Sequence, residues 1–121
     1  MLSAKQVAAI AVNALDQKMG VDIRLIEITD VSTLADYFVI CTATSNTHVK
    51  ALCDGLEEAM DAAGEELGNR EGHRAGTWVL MDYGCVVAHI FTEETRQFYD
   101  LERLWQDGNV VDISTVLEKK D

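Results

Sequence analysis

Within Trp78–Phe91, "WVLMDYGCVVAHIF", three side chains are not ordinary hairpin filler: Trp78, Asp82 and His89. A carboxylate and an imidazole held together can move protons, whereas an indole beside them is better suited to anchoring another macromolecule. A second pair, Ser45 and His48 in "SNTH", has the types of a nucleophile and its base. Each also has a plain structural role. Trp78 can pack an edge, His89 can be a satisfied imidazole, Asp82 can close a turn, and Ser45 can cap a helix. Missing parts weigh against catalysis. The chain has no D-x-D pair to hold two metal ions, and "CTATSNTHVK" has no glycine cradle for phosphate. No carboxylate is evidently placed to orient His48. We therefore expect no catalytic residue, cofactor or metal site, and favour a docking surface.

Several elements must position these residues. Ser3 followed by Gln6 forms a capping-box pattern, and Val7, Ile10, Ala11 and Ala14 recur at helical spacing until Gly20 supplies a stop. Residues 23–28 suit a strand, and the apolar run from Leu34 to Thr42 suits a strand covered on both faces. From Ser45, the residues Val49, Leu52, Cys53, Leu56, Met60 and Ala63 form one stripe with acids opposite, and Gly64 ends the segment. "EELGNREGHRAG" offers a short third strand before the hairpin, and Thr92 could cap a short helix opening with Glu93 and Glu94. The order predicts an α/β fold of the mixed α+β kind, with a mostly five-stranded mixed sheet and helices packed on it. Residues 1–121 read as one domain whose tail is loosely held from about residue 108.

A two-residue turn at Tyr83-Gly84 sets Trp78 opposite His89, Leu80 opposite Val87 and Asp82 opposite Cys85. One face then holds Trp78, Leu80, Asp82, Cys85, Val87, His89 and Phe91, the other Val79, Met81, Val86, Ala88 and Ile90. The aliphatic set belongs beneath the helices, and the mixed set reads as a wet surface that meets a partner. A bulge at Gly84 would shift this parity by one.

Ten basic against twenty-one acidic side chains give a formal net charge of -11, which disfavours direct gripping of a phosphate backbone and favours a basic protein partner. Cys41, Cys53 and Cys85 are odd in number and lie in apolar segments without metal-ligand spacing, as expected of core residues in a reducing cytoplasm. No apolar run approaches the ~20 residues that span a bilayer, so no membrane association is expected.

"ADYFVICTATSNTHV" (Ala35–Val49), Glu71-Gly72, the hairpin, and "RQFYDLERLW" (Arg96–Trp105) together resemble the ribosomal silencing factor family, RsfS, also called Iojap. The resemblance runs from the first helix to Trp105, departing at Ala43, where glycine is usual, and at Cys85, where an acid is usual. It implies a nucleotidyltransferase-like core without catalytic carboxylates. It also implies a cytoplasmic factor that binds the large ribosomal subunit through one ribosomal protein, the fourteenth of the L series. Bound there, it would block joining of the small subunit and repress translation when nutrients are scarce. Homodimers in isolation are implied as well. On the matching positions, Trp78, Leu80 and Tyr83 would be apolar anchors, Asp82 and Glu102 would meet basic side chains, and His89, Arg96, Tyr99 and Trp105 would complete the surface. Arg96 is equally suited to an ion pair inside the domain. The competing classes are a nucleotidyltransferase-like enzyme and a generic homodimerisation module.

Overall fold

The computed structural model describes residues 2–29, 35–72, 77–98, 109–111 and 113. Ser3 caps α1 (Ala4–Gln17) through the expected reciprocal box, its Oγ accepting from Gln6 N–H at 3.2 Å while Gln6 Oε1 accepts from Ser3 N–H at 2.8 Å. The helix ends one turn before Gly20. Met19 N–H donates to the Asp16 carbonyl, and Gly20 N–H donates to the Leu15 carbonyl. This is a Schellman closure whose left-handed position is filled by Met19, at φ 66° and 77% exposed. A left-handed non-glycine residue costs roughly 1–2 kcal/mol, partly offset in glycine by its floppier unfolded chain. Met19→Gly should therefore raise unfolding free energy by about 1 kcal/mol, read as a shift in urea midpoint at constant slope.

Strand β1 (Val21–Glu27) runs antiparallel to β2 (Tyr37–Ala43). After β2, Ser45 caps α2 (Asn46–Ala62), which buries Val49, Leu52, Cys53, Leu56 and Met60. Its acidic face points outward as expected, though Glu57 and Asp54 also hold Arg70 of β3 (Asn69–Glu71) at 3.0 and 3.5 Å. β4 (Trp78–Asp82) and β5 (Val86–Thr92) follow, then α3 (Glu93–Phe98) with both acids in its first turn. The five expected strands and the mixed sheet are present. A sixth strand, β6 (Asn109–Val111), pairs antiparallel with β1, so the start of the stretch expected to be a loose tail is instead a sheet edge.

The sheet order is β3-β4-β5-β2-β1-β6, with β2 and β5 parallel and the other neighbours antiparallel. Both faces of its centre are apolar. α1 and α2 cover one face, packing on Leu25, Val39, Cys41, Val79, Met81, Ala88 and Ile90. The opposite face carries a second cluster of Ile26, Ile28, Ala35, Ile40, Val87 and Phe91, with Phe38, Trp78 and Leu80 at its margin. No helix among the described residues is long and apolar enough to cross a membrane.

Candidate functional site

The hairpin turn lies one residue later than its sequence suggested. Gly84 alone has positive φ, 84°, and Tyr83 N–H donates to the Val86 carbonyl at 2.9 Å. The two central residues are thus Gly84 and Cys85, with glycine in the first position as a type II′ turn requires. Pairing moves by two: Trp78 faces Phe91, Leu80 faces His89, and Asp82 faces Val87. A shift of two conserves side-chain parity, so Trp78, Leu80, Asp82, Val87, His89 and Phe91 still share a face. Cys85 leaves that set for the turn, where it is half-buried.

Tyr83 also does not join that face. It is 7% exposed and packs in the cluster beneath the helices, so it cannot serve as an anchor beside Trp78. Burial pushes its phenol up to about 12, reinforced by the nearby Glu57 carboxylate.

The shared face is not uniformly wet. Val87, His89 and Phe91 on central β5 are buried, while Trp78, Leu80 and Asp82 on β4 are half-buried. His89 is 6% exposed, with Phe38 set edge-on at 5.3 Å between ring centroids and Trp78 tilted across it at 6.2 Å. Its Nδ1 has no hydrogen-bond partner among the described residues. Burial drives its pKa down to about 4, which leaves a neutral ring at ordinary pH. His89 therefore supports the indole from below and offers a partner little surface. Trp78 rests half on this aromatic layer and half in the open, with its Nε1 shielded from water.

Where β3 meets β4, Trp78 and Leu80 with Glu71 and Gly72 line a pocket of about 270 Å³. Gly72 has φ 84°, and a methyl group there would run into the Trp78 carbonyl, so glycine is what lets the chain pass this close. Asp82 Oδ1 accepts from Gly84 N–H at 2.8 Å, a bond that closes the hairpin turn at the far end of β4 from Trp78. The arrangement suits an apolar side chain flanked by a cation.

Arg96 is bound inside the domain. Only 7% exposed, it donates from Nη1 to Asp22 Oδ2 at 2.8 Å and to Thr42 Oγ1 at 2.9 Å, with its guanidinium carbon 5.9 Å from the Phe91 ring centre. Of its two expected roles, the internal ion pair is the one realised. Tyr99, Glu102 and Trp105 lie outside the described residues.

The other chemical candidates resolve into structural roles. Ser45 Oγ accepts from the His48 backbone N–H at 3.1 Å. The His48 ring accepts from Thr44 N–H at Nδ1, 2.9 Å, and donates from Nε2 to the Lys18 carbonyl at 2.9 Å. Nε2 thus ties the end of α1 to the start of α2, Nδ1 holds the turn before α2, and neither serves Ser45. A groove of about 880 Å³ lies where β2 and β5 end, the place where α/β enzymes hold ligands. Its carboxylates, Glu93 and Glu94, are adjacent on α3 and so project ~100° apart, unlike a pair sharing one ion. Cys41 and Cys53 are fully buried, with thiols pushed up by burial to about 12 and about 11, and act as core atoms rather than nucleophiles. Among the described residues, no three His, Cys, Asp or Glu side chains cluster as a metal site would need.

A mixed sheet with two helices on one face and a second apolar cluster with a half-buried indole on the other defines a small α/β domain. Residues 1–121 match the family model described as "Ribosomal silencing factor during starvation", RsfS, and the chain belongs to that family. A relative named ribosomal silencing factor RsfS from Halalkalibacterium halodurans is 34% identical over 116 residues, covering 96% of this chain and 99% of the relative. A mouse protein named for mitochondrial assembly of the ribosomal large subunit is 33% identical over 97 residues, covering 78% of this chain and 42% of that protein. A crystal structure of a Chromobacterium violaceum protein superposes with a TM-score of 0.84 at 29% identity, covering 99% of this chain and 92% of that one. Membership carries a ribosome-related role.

Proposed function

We propose that this chain is a ribosomal silencing factor of the cytoplasm that binds the large subunit and sterically blocks joining of the small subunit, repressing translation when nutrients are limiting. Its contact on the subunit is one ribosomal protein, the fourteenth of the L series. The observation that carries the reading is the pocket where β3 meets β4, floored by half-buried Trp78 and Leu80 and rimmed by Glu71. An apolar socket with an acid at its lip fits an aliphatic or aromatic side chain beside a lysine or arginine. The formal charge of -11 speeds encounter with such a basic surface and discourages tight binding to the surrounding RNA. Blocking by bulk makes and breaks no bond, so the mechanism asks for no catalytic group. The free protein pairs with a second copy of itself.

Trp78→Ala tests this. Removing a central anchor typically costs about 2 kcal/mol, which weakens binding roughly thirtyfold. Co-sedimentation with free large subunits on a sucrose gradient should fall accordingly, while the unfolding curve shows the variant still folded. Equal recovery of both proteins with the subunit would exclude the Trp78 pocket as the docking surface. Nucleotide binding in the presence of magnesium would instead revive the enzyme reading. A dimer that covers Trp78 and never meets ribosomes would favour a plain dimerisation module.

A further inference from the structure

The groove of about 880 Å³ at the ends of β2 and β5 has a topological cause. The two strands run parallel side by side, yet the chain leaves them toward opposite faces of the sheet. β2 passes into α2, which packs with α1 on one face, whereas β5 passes into α3, whose Arg96 lies against Phe91 on the other. Where neighbouring parallel strands diverge in this way the sheet end stays open, and open α/β sheets bind their ligands at such switch points. Blocking of subunit joining by bulk makes no use of this groove.

One side of it offers donors. The N–H groups of Asn46 and Thr47 lie in the first turn of α2 and have no carbonyl to pair with inside the helix. The Ser45 cap satisfies only His48, and no acid in that turn offsets the positive end of the helix dipole. Thr42, which is 6% exposed and forms part of the groove wall, points to an occupant independently. Its Oγ1 accepts from Arg96 Nη1 at 2.9 Å, so its proton is directed away from the guanidinium, and no described residue accepts it. Buried hydroxyls normally find partners, and a cation behind the oxygen makes this one a stronger donor. The other side offers acceptors, the exposed carboxylates of Glu93 and Glu94 at the start of α3.

These two sides select a ligand. A phosphate would meet both glutamates, and no lysine or arginine among the described residues lines the groove to balance it. A molecule with a carboxylate at one end and an ammonium at the other satisfies both. We propose that the groove binds a small zwitterion, a free amino acid or a short peptide with free ends, its carboxylate on Thr42 and the first turn of α2 and its ammonium on Glu93 and Glu94. The groove is distinct from the Trp78 pocket, so this site stands or falls without the docking reading.

The test is amide correlation NMR on the full-length, isotope-labelled protein, titrated to millimolar concentration with each standard amino acid and with tri-L-alanine. At least one probe should shift the signals of Thr44, Asn46, Thr47 and Thr95 in a saturable way and leave those of β3 in place. Binding by amino acids alone identifies a free amino acid as the ligand, and binding by the tripeptide alone a peptide. Acetylating the amine or amidating the carboxylate of the probe that binds should weaken it about tenfold, the size of one lost charge-assisted contact. Thr42→Val, which keeps the shape and removes the hydroxyl, should weaken it similarly. Joint Glu93→Gln and Glu94→Gln, on an exposed helix start, should do the same and stands in if Thr42→Val does not fold.

The proposal is overturned if no probe gives a saturable shift, or if the shifts fall away from the groove. Equal affinity of free and blocked probes would also overturn it, as would unchanged affinity in the folded variants.

Discussion

Replacing Phe91 by alanine is expected to lower the unfolding free energy by about 4 kcal/mol, the usual cost of emptying a buried aromatic site. Phe91 is fully buried in the second apolar cluster, lies opposite Trp78 in the β4–β5 ladder, and carries the Arg96 guanidinium over its ring. Truncation leaves a cavity that two rigid strands cannot close, and removes a cation–π contact of ~0.5–2 kcal/mol. Phe91→Leu should cost markedly less, because most of the volume is kept. Urea unfolding of the two variants separates cavity from contact. A loss of under 1 kcal/mol for alanine would mean that this face is not a packed core. Because the indole of Trp78 rests on the same layer, Phe91→Ala should also blunt ribosome binding in protein that remains folded.

Acid should destabilise this protein through one buried imidazole. His89 has its pKa driven down to about 4 by desolvation, against 6.5 when free. The unfolded chain takes up a proton as pH falls through 6.5, and the native chain refuses it until pH nears 4. Stability is therefore intact above pH 6.5 and drains away across that window, by about 3 kcal/mol when the lower limit is reached. His89→Phe abolishes the proton uptake and fills the same slot against Phe38 and Trp78. It should match or exceed the wild type at neutral pH, because an orphaned buried nitrogen is replaced by an apolar group. The difference between the two proteins should widen from pH 7 to pH 4, which cancels the contribution of the many surface acids. Parallel curves would show that His89 is not the acid-sensitive group.

Much of this architecture was legible because it is written locally. The Ser3–Gln6 box, the Ser45 cap and the 3.6-residue stripes fixed both long helices, and strict alternation fixed which hairpin residues share a face. The turn was misplaced by one residue because glycine fits either central position of a two-residue loop. The faces survived that error only because pairing moved by an even number. Tyr83 could not be placed without the correct turn, since its direction follows from its distance to Gly84.

The rest depends on partners far along the chain. His89 and Phe91 are dry because Ile26, Phe38 and Ile40 from other strands complete a second layer, which no pattern within the hairpin announces. Asp22 escaped notice for the same reason: its meaning comes from Arg96, which only tertiary structure brings near. β6 is three residues long and draws its stability from β1 rather than from its own propensity.

That closing strand has a consequence for how the protein is made. β1 is translated early and finds β2 quickly, but its outer flank has no neighbour until residues 109–111 have been synthesised. A growing chain must carry a bare row of peptide donors and acceptors through most of its own synthesis, inviting mispairing with any extended segment nearby. Premature termination just short of Asn109 should yield a product that keeps its helices yet sticks to itself.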